Sequence, residues 1–214
     1  MRRVPAEAIS RFVPPDEGGR QSAVLMLFAE GLAGPEVLLI ERAHTLRDHA
    51  GQPAFPGGSI DPTDDDAVDA ALREAEEEVG LHRASVQVLA TLPPLWIPVT
   101  GFVVTAVLAW WHSPTAVGPV DRGEVAAVVH VPIAELADPA NRMQVRHPSG
   151  WVGPAFTVHG LLVWGFTAGI VDTLLRLGRW ERPWEASEVR DLPFRAASPA
   201  PSPDGLTPPA SQQH

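Results

Sequence analysis

Glu74, Glu76, Glu77 and Glu78 set four carboxylates in five consecutive positions, between Arg73 and Val79-Gly80-Leu81. On a helix, residues three and four apart are neighbours, so Glu74 stands beside both Glu77 and Glu78, and like charges at that spacing cost about 0.2–0.5 kcal/mol per pair. The run also lies at the end of the helix predicted here, where the macrodipole disfavours acids by roughly 0.3–1 kcal/mol each. A divalent cation would offset both costs. At about 100° per residue, with Glu74 at zero, Glu77 falls near −60° and Glu78 near +40°, while Glu76 points elsewhere. Three convergent oxygen ligands suit Mg2+ or Mn2+, hard cations that keep several waters and bridge to substrate phosphates. Arg73, four residues before Glu77, is spaced to hold and orient that carboxylate.

The helix that must position these acids is expected to begin near Thr63 as N-cap, with Asp64, Asp65 and Asp66 complementing its positive dipole end and needing no further role. Val68, Ala71, Leu72, Ala75 and Val79 recur at three- and four-residue spacing and form its apolar stripe. The stripe centres near about +115° on the same wheel, so the acids flank the core face. Gly80 ends the helix as a C′ residue. Upstream, Ser22 to Phe28 and Val37 to Ile40 are apolar runs separated by Glu30-Gly31-Leu32-Ala33-Gly34-Pro35, which predicts a hairpin. Further strands are expected at Ser85 to Ala90, Val103 to Trp111, Val125 to Val131 and Phe156 to Val158, with a second helix over about Leu161 to Leu177. Strands interleaved with two substantial helices indicate an α/β or α+β sandwich, with a mixed sheet between helices.

Composition narrows the chemistry. The 214 residues carry a formal net charge of −10 and no cysteine. Thiol nucleophiles, disulfides and thiolate metal sites are therefore excluded. So acidic a chain is not expected to bind nucleic acid, because such binding draws on clustered Lys and Arg. No apolar h-region follows the two N-terminal arginines and no run reaches the length of a spanning helix, so a cytoplasmic protein without a membrane partner is expected. Residues 1–20 read as an irregular lead-in, residues 21–190 as one folded domain, and residues 191–214, rich in Pro, Ser and Ala, as a disordered tail. Oligomeric state is left open, a homodimer included.

Acidic runs are usually solvated faces, but the order of residues around this one is specific. Arg73-Glu74-Ala75-Glu76-Glu77-Glu78-Val79-Gly80-Leu81 resembles the second half of the Nudix box, GX5EX7REUXEEXGU with U aliphatic. In the first half, the slot for the leading acid holds Asp65 and the glycine slot holds Ser59, with Gly58 one residue early. That one-residue shift, together with Gly57-Gly58-Ser59-Ile60-Asp61-Pro62-Thr63-Asp64, is similar to the box of the coenzyme A pyrophosphatase branch. The branch's upstream signature, LLTxRS-x3-R-x3-G-x3-FPGG, resembles Leu38-Leu39-Ile40-Glu41-Arg42-Ala43, Arg47, Gly51 and Phe55-Pro56-Gly57-Gly58, with Ile for Thr and Ala for Ser.

The resemblance implies an α/β/α sandwich and metal-dependent hydrolysis of a nucleoside diphosphate linked to another group. In the coenzyme A branch the products would be 3′,5′-ADP and 4′-phosphopantetheine, or its acyl form. It implies Glu77 and Glu78 as metal ligands, Glu74 as a further ligand or the base, and the Gly58 carbonyl as completing the shell. Arg73 would orient the glutamates, and Glu124 matches a place where many Nudix enzymes carry an additional carboxylate. Arg42 and Arg47 are the candidates for substrate phosphates, since the guanidinium fork fits phosphate oxygens. Two alternatives stand beside this: a Nudix hydrolase of ADP-ribose, NADH or an oxidised nucleotide, and a catalytically silent nucleotide-binding regulator. Trp96, beside Pro94 and Pro98 in an expected loop, is the candidate exposed platform for a base. Trp110, Trp111 and Trp164 are assigned to packing, and the histidines show no ligand spacing.

Overall fold

The computed structural model describes residue 14 and residues 18–46, 48–98 and 100–192. The expected lead-in and tail fall almost wholly outside them, as does Arg47. The chain opens with β1 (Arg20–Gly31) and β2 (Gly34–Arg42), followed by the short β3 (Pro53–Ala54) and β4 (Gly57–Ser59) and by helix α1 (Ala67–Val79). Strands β5 (Val86–Thr91), β6 (Leu95–Ile97), β7 (Phe102–Trp111) and β8 (Val125–Pro132) lead to a single helical turn, α2 (Ile133–Leu136). The last described elements are β9 (Arg142–Arg146), β10 (Val152–Val158), β11 (Leu161–Val163), helix α3 (Gly165–Leu177) and β12 (Val189–Asp191).

The larger sheet runs β3-β2-β1-β7-β5, with β8 on β2, β6 on β7 and β4 on β1. It is mixed, since β1 and β7 are parallel while the other pairs are antiparallel. Alternate side chains of a strand point to opposite faces, and β1 buries both sets. Leu25 and Leu27 pack with Ala70, Ala71, Ala75 and Val79 of α1 on one side. Met26 and Phe28 pack with Leu136 of α2 and with Ala168, Val171 and Leu175 of α3 on the other. A central strand covered on both faces reads as a continuous apolar run, which is why Ala23 to Ala29 shows no alternation. Leu25 and Met26 are both 0% exposed, and full burial of such side chains contributes about 1.5–3 kcal/mol each. The result is the expected α/β/α sandwich with a mixed central sheet.

The hairpin is splayed. β1 and β2 pair only from Phe28–Val37 to the turn at Gly31–Gly34. Farther out, β1 pairs instead with β4 over Ser22–Val24, and β2 pairs with β3 at Ile40 and Glu41. The segment 53–59 thus fills the fork between the two long strands and carries Gly57 and Gly58 to the side of α1.

Several expectations are corrected in detail. Helix α1 starts at Ala67, and its N-cap is Asp66, whose carboxylate accepts from the Val68 and Asp69 N–H groups at 2.8 and 2.9 Å. Thr63 lies outside the helix. Residues Leu161–Val163, read from sequence as the start of the second helix, pair with β10 as an edge strand, and the helix begins at Gly165. Trp96 sits within β6, paired with Val103, and is half-buried rather than a loop platform. A second sheet, β11-β10-β9-β12, was represented in the sequence reading only by Phe156 to Val158. Gly80 does end α1, at φ 72°, with its N–H on the Ala75 and Glu76 carbonyls. Among the described residues no helix is long and apolar enough to cross a membrane.

Candidate active site

Helix α1 presents its acids to three different surroundings. Glu76 turns away and pairs with Arg83 at 3.0 Å. Glu77 is largely exposed and receives Arg73 Nη1 at 3.0 Å, one helical turn back. Glu78, by contrast, is 6% exposed, because its position on the helix points it under the segment that fills the β1/β2 fork. There its Oε2 accepts the Gly57 N–H at 3.0 Å. Burial pushes the Glu78 carboxyl up to about 7, opposed by the Gly57 N–H and by the Arg42 charge, and reinforced by the charges of Glu74 and Glu124. Glu74 is also raised, first by burial, with Arg73 working against the shift and Glu77 and Asp61 adding to it.

These couplings mark which sequence candidates stand together. Arg42, at the end of β2, and Glu124, just before β8, both act on Glu78. Their strands are neighbours, the Glu124 carbonyl accepting the Ala43 N–H at 2.8 Å. Arg42 Nε is buried and has no hydrogen-bond partner. Gly58 lies against Glu74, and a Cβ built on Gly58 would overlap the Glu74 carboxylate. Gly57 has φ 154°, and a Cβ there would strike the Ala23 carbonyl and the Val24 backbone.

Arg73 is the hub. Its Nε and Nη2 donate to Asp64 Oδ1 and Oδ2 at 2.8 and 3.0 Å, Nη1 is shared between Glu74 Oε1 at 3.1 Å and Glu77, and Nη2 also reaches the Ser59 carbonyl at 3.1 Å. Such a two-point guanidinium–carboxylate contact fixes the plane of the arginine. The Arg73 hydrogen bonds hold the Asp64 carboxyl below the usual carboxylate range, and Asp64 in turn raises Arg73. Asp64 is the residue that sequence reasoning missed, having been given only a dipole role. Its side chain is 2% exposed. The signal available was its place as the second acid of the GG-x-x-D-x-x-D lead-in.

The NUDIX domain family model matches residues 19–150, more than half of the chain. The chain belongs to the Nudix family. Over 170 residues this Nudix protein is 42% identical to an uncharacterized Nudix hydrolase, NudL, of Cronobacter sakazakii, the match covering 74% of this chain and 83% of that one. It is 40% identical over 167 residues to the uncharacterized Nudix hydrolase NudL of Escherichia coli strain K12, with the same coverage. Among solved structures, a Nudix hydrolase from M. smegmatis, RenU, superposes with a TM-score of 0.55 at 22% identity, covering 79% of this chain and 91% of that chain. That likeness speaks to the fold. Family and fold together make this protein a Nudix diphosphohydrolase.

Nudix hydrolases generally work with divalent metal ions, and the donor set here fits one. The candidate ligands are oxygen only, Glu78 is a buried carboxyl whose one hydrogen bond is to a backbone N–H, and the missing Cβ of Gly58 leaves room for the Glu74 carboxylate. No group of three acidic or imidazole side chains among the described residues is already gathered around a common point. Glu77, held by Arg73 at 3.0 Å, is exposed while Glu78 is buried, so the three acids expected to converge stand in different surroundings.

Two outcomes follow from this geometry. Gly57→Ala forces backbone against backbone and is expected to cost on the order of 1–3 kcal/mol, whereas in Gly58→Ala only the mobile end of Glu74 must move. Thermal melting should therefore fall for the first and stay near wild type for the second, while turnover falls in both. The second outcome concerns pH. The folded-state value of Glu78 is about 7 against an ordinary 4.5, so between those values the folded protein holds a proton that the unfolded chain releases. As pH rises through that window the metal-free protein loses about 3 kcal/mol at most from this group. Glu78→Gln should remove that component, giving a metal-free variant that melts several degrees above wild type at pH 8 but not at pH 4.5. Equal melting differences at both pH values would contradict it.

Proposed function

We propose that this Nudix hydrolase cleaves the diphosphate of coenzyme A or an acyl-CoA in the cytoplasm, releasing 3′,5′-ADP and 4′-phosphopantetheine or its acyl form. The observation that carries the reading is Arg42. It occupies the arginine of the LLxxR element upstream of FPGG, its charge acts on Glu78, and its buried Nε has no partner. A buried donor left unmet at the margin of a carboxylate site is costly, and a phosphate oxygen arriving with the substrate would supply the acceptor it lacks. Arg47, outside the described residues, is proposed to act with it on the 3′-phosphate or the diphosphate.

Glu74, Glu77, Glu78 and the Gly58 carbonyl would hold Mg2+ or Mn2+, with Glu124 as an additional carboxylate at the same margin. The ion, when bound, neutralises phosphate charge and makes water a better nucleophile. The chain's own residues do the rest. Asp64 fixes Arg73, and Arg73 sets the directions of Glu74 and Glu77. Glu74 serves as a further ligand or as the base that takes the proton of the attacking water. Arg42 and Arg47 bind phosphate oxygens and turn the diphosphate toward that water. The water oxygen bonds to one phosphorus, and the bridging oxygen leaves with the other.

The test is incubation of the purified protein with coenzyme A, ADP-ribose, NADH and 8-oxo-dGTP, each with Mg2+ or Mn2+, and chromatographic identification of the products. Coenzyme A should yield the two named products. Turnover of ADP-ribose or NADH alone would remove the coenzyme A assignment while leaving the Nudix chemistry in place.

A further inference from the structure

Arg142, the first residue of β9, takes no part in the chemistry above. Its side chain is 1% exposed, yet its Nε and Nη1 have no hydrogen-bond acceptor. Nη2 donates to Asp172 Oδ1 on α3 at 2.5 Å. Nη1 stands 3.3 Å from Glu181 Oε1, an ion-pair contact that lacks hydrogen-bond geometry. A buried charged donor left unmet is costly, more so than a neutral one. The guanidinium lies over two rings, with its carbon 5.5 Å from the Phe156 centroid and 4.6 Å from that of Trp184.

Glu181 and Trp184 belong to an irregular stretch between α3 and β12. That stretch curves around an open cleft of about 370 Å³, lined by Glu181, Arg182, Pro183 and Trp184. Arg182 is exposed and makes no hydrogen bond or ion pair among the described residues. Of the neighbouring acids, Asp172 also receives Arg176 at 3.3 Å and Glu188 pairs with Arg190 at 3.0 Å, while Glu185 accepts the Ser187 N–H at 3.0 Å and keeps its charge. Behind the cleft wall, Arg142 and Arg176 share Asp172 and Arg142 also contacts Glu181, which leaves Arg182 as the cation lining the cleft with no acidic partner among the described residues.

We propose that this cleft binds the phosphate group of a small phosphorylated ligand, with Arg182 meeting it first and Arg142 Nη1 taking it as Glu181 swings out. Glu181 then acts as a built-in competitor that occupies the arginine loosely when no ligand is present. Trp184 forms the wall of the site and keeps the Arg142 guanidinium in place. A phosphate oxygen gives Nη1 the acceptor that Glu181 does not reach in good geometry.

The experiment follows the melting temperature of the full-length, metal-free protein against inorganic phosphate, with chloride balancing the ionic strength. Arg142 is too buried to be a clean probe, so Glu181→Gln and Arg182→Ala carry the test. Phosphate should raise the melting temperature of wild type, Glu181→Gln should reach the same shift at about tenfold lower phosphate, and Arg182→Ala should need severalfold more. Repeating the series in an Arg42→Ala background separates this cleft from phosphate held beside Glu78, and the dependence on Glu181 and Arg182 should persist there. AMP serves as a second probe. A larger shift with AMP assigns a nucleotide as the source and an equal shift assigns free phosphate, either supporting the site. No phosphate-specific shift in wild type and Glu181→Gln, or identical responses in all three proteins, would overturn it. None of these readouts depends on coenzyme A turnover, so the proposal fails or survives independently of the substrate assignment.

Discussion

Glu77→Gln should lower kcat by about 10²- to 10³-fold, a loss of roughly 3–4 kcal/mol of transition-state stabilisation, while the protein melts within a degree or two of wild type. The separation of the two effects follows from where Glu77 sits. Its side chain is 59% exposed and touches only Arg73 among its charged neighbours, so surface replacement changes stability by about 0.5 kcal/mol or less. Glu76 supplies the control one residue away. It is 55% exposed and turned onto Arg83, so Glu76→Gln should keep near wild-type turnover. Steady-state rates at saturating metal, measured with melting curves for both variants, check this. Comparable losses in the two variants would mean that general acidity of the run matters rather than the position of individual carboxylates.

Arg73→Ala is expected to reduce turnover by about 10²-fold, the scale at which roughly an ångström of misplacement costs an enzyme, and also to lower the melting temperature by several degrees. Removing the guanidinium frees Glu77, releases Glu74 and leaves the Asp64 carboxylate, covered from solvent, with only the Asp61 N–H and no cationic partner. Arg73→Lys should recover little, because an ammonium is one point of charge and cannot span Asp64, Glu74, Glu77 and the Ser59 carbonyl together. A double-mutant cycle identifies the route. If Asp64 works through Arg73, Asp64→Ala should impair turnover in wild type and add little in the Arg73→Ala background. Full additivity of the two losses would assign Asp64 a separate task.

Much of this site was legible because helical geometry is local. Spacing alone sent Glu76 away and joined Arg73 to Glu77, whereas Glu74, Glu77 and Glu78, expected to converge, are not gathered around a common point among the described residues. What it could not supply was depth. Glu78 is buried because the segment at Gly57 closes over it, and that closure depends on β1 and β2 splaying apart, a long-range event without periodicity. Asp64 was missed for the same reason: it meets Arg73 by folding a loop back across the helix start, nine residues away in sequence. The misplaced helix starts have local causes. Thr63 and Asp66 are both good caps, and the sequence does not say which backbone reaches extended geometry before the first turn. Leu161-Leu162-Val163 is apolar and continuous with the helix that follows, so only its pairing with β10 reveals a strand. The two-residue β3 and three-residue β4 are too short for any alternation to register.

The carboxylates of α1, with Arg42 beside them, are proposed to form a site for the diphosphate of coenzyme A. Measuring kcat/KM for coenzyme A and for ADP-ribose side by side, in wild type and in Arg42→Ala, tests it most directly. Wild type should prefer coenzyme A by at least about tenfold, equivalent to about 1.4 kcal/mol, and the preference should shrink in the variant. Equal values for the two substrates, or a preference for ADP-ribose that Arg42→Ala leaves untouched, would contradict it.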